Sequence, residues 1–209
     1  MLTSLSIQEF ARKLASADPT PGGGSVAAAV GSFGAGLVSM VALLTANSPK
    51  HADVAERCRS IAETAGTLRA RLVSLVDEDT AAFDRVSEAY RLPKSDDAQK
   101  ARRSDAIQEA LCGAIGPPAA VIELARSICD LGVELADIGN PNAQSDIGCA
   151  ALCAQAAAHG AALNVDVNAR SLHDRAAGSQ HLERAARDVA QVDVLCEVIL
   201  SKLRTKAQT

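Results

Sequence analysis

The sequence predicts an all-α fold: a single domain over residues 1–209, built as a bundle of long helices with small-residue packing faces and paired as a dimer. Three observations carry this. Apolar residues recur at steps of three and four along nearly the whole chain, the spacing of one helix face. The only period-two stretch, Leu163-Asn164-Val165-Asp166-Val167, is short and reads as the end of a helix. Between Asp18 and Lys50 there is no charged residue, and Ala, Gly and Ser dominate, so this segment has to be buried among close neighbours.

Taken in order, Ser6-Ile7-Gln8-Glu9 is a capping box that opens a short first helix ending before Pro19. A second helix runs from Ser25 to about Thr45 and lines up Ala27, Gly31, Gly34, Ala35 and Val38 on one face. Glycine in a helix interior costs about 1 kcal/mol, so Gly31, Gly34 and Gly36 imply packing that repays it. From about His51 to Tyr90 a single helix, roughly 60 Å long, carries Cys58, Ile61, Leu68, Leu72, Leu75, Asp79, Phe83, Val86 and Tyr90 on its stripe. Leu92-Pro93-Lys94 ends it. An amphipathic helix from Ala98 to Ala114 follows, and Pro117-Pro118 suits the first turn of another that carries Val121, Leu124, Ile128, Leu131, Leu135 and Ile138. Gly139-Asn140-Pro141-Asn142 stops that helix. A small-residue helix from Ser145 to about Asn168 and an amphipathic one carrying Leu182 to Leu203 complete the bundle.

The uncharged segment is long enough to cross a bilayer, but its Ala, Gly and Ser content makes insertion weakly favourable at best, and a buried central helix is the expectation. It opens with Pro19-Thr20-Pro21-Gly22-Gly23-Gly24-Ser25. Three glycines allow close backbone approach, and Ser25 as a cap would turn the positive end of the helix toward the loop, which favours an anion there. Tight helix packing without a ligand is the structural alternative. The motif is not a nucleotide-type phosphate loop, since no lysine follows the glycines and no strand precedes them.

A net charge of −4 and an aromatic content of 2% (Phe10, Phe33, Phe83 and Tyr90) exclude an electrostatic or stacking surface for nucleic acid. The six cysteines form no C-x-x-C pair and read as core residues of a reducing cytosol. The four histidines are scattered, so no metal is expected.

Polar residues on apolar stripes mark the candidate site. Asp79 stands between Leu75 and Phe83 while Asp77 and Glu78 fall to the sides. A carboxylate facing a core or cleft has to be paired, hydrogen-bonded or shifted in pKa, and such groups concentrate at functional sites; a structural ion pair is the alternative. Asn164 and Asn168 project one turn apart from a small-residue stripe. Their partners are either a ligand with donors and acceptors or neighbouring helix ends and water. Asn140, Asn142 and Asp146 sit in or beside the preceding loop, where Asn is also an ordinary turn residue.

The ordered set of Pro19 to Ser25, Asp77-Glu78-Asp79 with Ala82-Phe83, Leu92-Pro93-Lys94, Ala106 to Leu111, Gly139-Asn140-Pro141-Asn142, Ser145-Asp146 and Asn164 to Asn168 resembles the cyclodeaminase/cyclohydrolase family of one-carbon metabolism. That family includes the C-terminal domain of formiminotransferase-cyclodeaminase and stand-alone methenyltetrahydrofolate cyclohydrolases. The resemblance covers essentially the whole chain; Gly116-Pro117-Pro118 and Cys149 depart from the common pattern without touching the polar set.

It implies a cytoplasmic all-α homodimer with a tetrahydrofolate derivative as substrate, no tightly bound cofactor, and no nucleic-acid or membrane partner. It also implies Asp79 and Lys94 as catalytic residues, with Lys94 the natural partner of a glutamate-tail carboxylate. Pro21, Gly22, Gly23, Gly24, Ser25, Asn140, Asn142, Asp146, Asn164 and Asn168 are implied as substrate-binding residues. Cyclohydrolase chemistry is the first expectation, cyclodeaminase the second, and a helical interaction protein without activity the third.

Overall fold

A computed structural model describes residues 1–206 of the chain, and among them every regular element is helical. The α-helices are α1 (Ile7–Leu14), α2 (Gly23–Ala46), α3 (Ala55–Arg91), α4 (Asp97–Ile138), α5 (Gln144–Arg170) and α6 (Arg175–Lys206). Short 3₁₀ turns at Leu2–Ser4, Pro49–Val54 and Pro141–Ala143 link or precede them.

The capping box of α1 is present in both directions, with Ser6 accepting from the Glu9 amide and Glu9 accepting from the Ser6 amide. α3 has 37 residues, about 55 Å, and starts after a kink at His51 rather than at that residue. The segment Leu163 to Val167 is helical throughout.

Two local expectations are corrected. Helix α2 starts at Gly23 with Gly22 as its N-cap, so Ser25 lies inside the first turn and caps nothing. Its hydroxyl is needed elsewhere, as described below. Helix α4 is continuous for 42 residues through Pro117 and Pro118, where two helices are predicted. A proline inside a helix leaves the carbonyl four residues earlier without its donor, which for Pro118 is that of Ala114. Asn168 Nδ2 of α5 donates to this carbonyl at 3.1 Å. The side chain of one helix thus replaces one of the two hydrogen bonds that the prolines remove from the other.

Helix α2 lies in the middle of the bundle, packed on α3 and α5 and touching α4. It runs antiparallel to α5, with Ala27 against Gly160, Gly31 against Ala157 and Gly34 against Ala150 and Cys153. A Cβ on Gly31 would lie 3.2 Å from Leu72 Cδ2, and one on Gly34 would lie 3.0 Å from the Ala150 carbonyl oxygen. These two glycines therefore return in close packing what they cost in helix propensity. Gly36 meets nothing closer than 3.8 Å and has no such role.

One hydrophobic cluster joins Val38 and Val41 of α2, Ile61, Leu72 and Leu75 of α3, Ile122 and Ile128 of α4, Ile147 of α5 and Ile199 of α6. Cys58, Cys129 and Cys196 belong to it, whereas Cys112 and Cys149 are exposed and Cys153 is half-buried. Burial pushes the Cys129 thiol up to about 12, so it stays a neutral core group.

By length and composition α2 would cross a membrane, and half of its apolar window is buried in the bundle. The other side is bare. Val26, Val30, Phe33, Leu37, Met40 and Leu44 follow one another at steps of three and four and are exposed or half-buried, Phe33 at 55%. Leu152, Leu163 and Val167 of α5, the helix packed against α2, are exposed as well.

Candidate active site

Where the N-terminus of α2 meets the middle of α3, a cleft of about 370 Å³ opens. Its walls are Pro19, Thr20 and Gly22 to Gly24 of the loop, the α3 residues Asp79, Phe83, Val86 and Tyr90, Leu111 and Ala114 of α4, and Asn164, Val167 and Asn168 of α5.

Asp79 reaches this cleft because it occupies the α3 stripe slot that follows buried Leu75. Its carboxylate lies against Gly24, where a Cβ would come within 2.1 Å of Oδ1. A side chain there would push the carboxylate out of this position. Ser25, fully buried, donates its hydroxyl to Asp79 Oδ2 at 2.9 Å, with the Val76 carbonyl at 3.0 Å and Thr80 Oγ1 at 3.2 Å as its other neighbours. The Ser25 amide also bonds the carboxylate. The anion that a glycine loop and a helix N-terminus favour is therefore the protein's own Asp79, seated at the positive end of α2. Two opposed influences set its proton affinity. Burial raises its pKa above the ordinary aspartate value, and the Ser25 hydroxyl and amide pull it down by a smaller amount. A carboxylate so placed holds its proton more readily than one in water, and it presents a negative charge to a cleft otherwise lined by uncharged groups.

Asn164 Nδ2 donates to the Gly160 carbonyl at 2.9 Å and packs against Gly23. Asn168 makes the bond to Ala114. Each amide spends an N–H on a carbonyl inside a helix, Asn164 on its own α5 and Asn168 on α4, while lining the cleft.

The remaining predicted residues lie elsewhere. Pro21 is buried beneath the loop and does not line the cleft. Lys94 is exposed in the connection between α3 and α4 and is not part of the cleft wall. The Asn140 amide donates to Thr45 Oγ1 at 2.9 Å, and Asn140 Oδ1 caps the Asn142 amide at 3.0 Å. That places Asn140, Asn142 and Asp146 at the far end of α2, about 30 Å along the helix from Ser25. In one protomer these three do not meet Asp79. Asp77, beside Asp79 in sequence, accepts from the Leu2 amide at 2.6 Å and the Thr3 hydroxyl at 2.7 Å, which ties down the N-terminal turn. Glu78 pairs with Arg71 on the surface.

Phe83, Val86 and Tyr90 were legible only as a continuation of the apolar stripe. Their half-exposure into the cleft, with Tyr90 at 51%, is a tertiary fact.

The family profile described as formiminotransferase-cyclodeaminase matches residues 6–187. A methenyltetrahydrofolate cyclohydrolase of Methylorubrum extorquens is 41% identical over 201 residues, covering 96% of this chain and 97% of its own length. The formimidoyltransferase-cyclodeaminase of Sus scrofa is 32% identical over 96% of this chain, which corresponds to 37% of that longer protein. Among solved structures, a formiminotetrahydrofolate cyclodeaminase from Thermotoga maritima superposes with a TM-score of 0.88 at 28% identity, covering 99% of this chain and all of its own. Sequence motifs, helical architecture and relatives of matching length agree, and the chain belongs to the formiminotransferase-cyclodeaminase family.

Proposed function

We propose that this protein is a methenyltetrahydrofolate cyclohydrolase, converting 5,10-methenyltetrahydrofolate and water to 10-formyltetrahydrofolate, with Asp79 as its catalytic carboxylate. The observation that carries the proposal is the half-buried Asp79 carboxylate, held by Ser25 against Gly24 in a cleft with aromatic walls. It is joined by the end-to-end similarity to the Methylorubrum cyclohydrolase.

The substrate carries a cationic carbon between a pterin-ring nitrogen and an aniline nitrogen, and a fixed carboxylate stabilises that charge. A water oxygen bonds to the carbon, and Asp79 takes one of its protons. As the carbon–oxygen double bond forms, the bond to the ring nitrogen breaks. That nitrogen leaves with one of the two protons of the original water, and the other is released to solvent. Asn164 and Asn168 offer hydrogen bonds to the pterin edge, and Gly22 and Gly23 let the ring approach the backbone.

Cyclodeaminase activity is the second reading, favoured by the likeness to the Thermotoga protein. There the aniline nitrogen attacks a 5-formimino carbon, and Asp79 delivers the proton with which ammonia departs. Assays of the purified protein on 5,10-methenyltetrahydrofolate and on 5-formiminotetrahydrofolate separate the two. Turnover of the first substrate alone is the expected result, and turnover of neither leaves a helical interaction protein.

The chain works in this proposal as one cytoplasmic domain, without a bound cofactor, and as a homodimer. The bare apolar face of α2 and α5 supports the dimer, because a strip of this length is rarely left to water and a twofold axis across α2 covers it with its own copy. Gly23 and Val167 stand where this face meets the cleft, so the second copy would wall its rim.

A further inference from the structure

The cleft has a direction. From Asp79, helix α3 carries Phe83, Val86 and Tyr90 along one wall, and Tyr90 lies eleven residues on, about 16 Å away. On the opposite wall α4 contributes Ala114 and Leu111. The same face of α4 continues at helical spacing through Ile107 to Arg103. Both walls therefore leave the carboxylate in the same direction and end together at Tyr90 and Arg103.

Arg103 is held there firmly. Its Nη2 and Nε donate to the Tyr90 carbonyl at 3.0 and 3.3 Å, and its guanidinium sits 5.5 Å from the centroid of the Tyr90 ring. The carbonyl belongs to the last turn of α3, which lacks intrahelical donors. A guanidinium has five N–H donors, and this anchoring uses one on each of two nitrogens. Among the described residues, Asp79 is the single charged one that lines the cleft.

We propose that Arg103 receives a carboxylate of the substrate's glutamate arm, so that the cationic bridge lies at Asp79 and the acidic arm at the other end. This rests on the proposed folate reading and assigns to Arg103 the role expected of Lys94 from the sequence. A guanidinium fixed by a carbonyl and an aromatic ring meets a carboxylate through a planar fork without first losing the freedom of its side chain. The exposed Lys94 ammonium has no such support.

The test is steady-state kinetics of the full-length protein on 5,10-methenyltetrahydrofolate and on the corresponding tetrahydropteroate, which lacks the glutamate. Arg103→Ala raises KM for the glutamyl substrate about tenfold with kcat changed by no more than about twofold, and leaves KM for the pteroate unchanged. Arg103→Lys falls between. Arg102→Ala, which removes the same charge from the neighbouring exposed position, changes neither. A purely structural Arg103, acting through Tyr90, would shift both substrates alike, and that result overturns the proposal. So does a glutamate-dependent loss in Lys94→Ala with none in Arg103→Ala. Calorimetric binding of tetrahydrofolate and tetrahydropteroate reads the same difference without turnover. An inactive protein that still shows an Arg103-dependent preference for the glutamyl ligand therefore refutes the hydrolase reading and keeps the anchor.

Discussion

Asp79 is half-buried in the cleft beside Gly24 and Ser25, and among the described residues no cation lines that cleft. Its pKa is raised by burial, so the unfolded chain gives up this proton at a lower pH than the folded one. Between the two values the folded state binds more protons, stability falls as pH rises, and above the window the full penalty of the buried charge remains. Asp79→Asn is therefore expected to be at least as stable as the native protein at pH 7 in denaturant titrations. The difference should fade on acidification below about pH 4, where both states carry a neutral aspartate. Activity moves the opposite way. The amide keeps the shape but has neither charge nor basicity, and turnover falls on the order of 100-fold. The acid limb of the native pH–rate profile is displaced toward higher pH than an ordinary aspartate gives, for the same reason, and the variant lacks it. Asp77→Asn, which loosens only the N-terminal turn, retains far more activity. Equal and near-native rates for the two variants would remove Asp79 from the reaction.

At the scale of elements, one hydrogen bond ties α5 to the proline turn of α4. Asn168→Ala leaves the Ala114 carbonyl without a donor inside the bundle, a loss of about 1 kcal/mol. Pro118→Ala restores an amide that bonds the same carbonyl within α4. The asparagine deletion should then cost much less in the Pro118→Ala background, and a double-mutant cycle of unfolding free energies measures the coupling directly. Additive effects would mean that Asn168 matters only for the cleft. The same logic explains why α2 carries glycines at 31 and 34. A methyl group at either would crowd a neighbouring helix, and at Gly24 it would overlap the Asp79 carboxylate.

For the whole molecule, the apolar strip on α2 and α5 is the feature one protomer leaves unresolved. Sedimentation of the native protein at micromolar concentration is expected to give a dimer. Phe33→Asp, which puts a charge in the middle of the strip, is expected to give a folded monomer, since Phe33 contributes little to the protomer's own core. A native monomer that binds lipid vesicles through this strip would instead make the partner a membrane.

Helical period and the missing strand pattern were enough to predict an all-α chain, because each helix must present one apolar stripe whatever it packs against. The same stripes singled out Asp79, since a carboxylate in an apolar slot is conspicuous without knowledge of its neighbours. The capping box of α1 was equally local and equally legible. Partners distant in sequence were not. That Ser25 serves Asp79 instead of capping its own helix depends on a contact between residues 54 positions apart. That a carbonyl freed by one of the two prolines in α4 finds its donor depends on an asparagine of another helix. The glycine loop announced an anion but not that the anion was internal. The loop at Asn140 read as part of the same site, although α2 holds the two ends of the bundle about 30 Å apart. Local spacing determines which face of a helix is special; which faces meet, and what they enclose, is decided only when the helices pack.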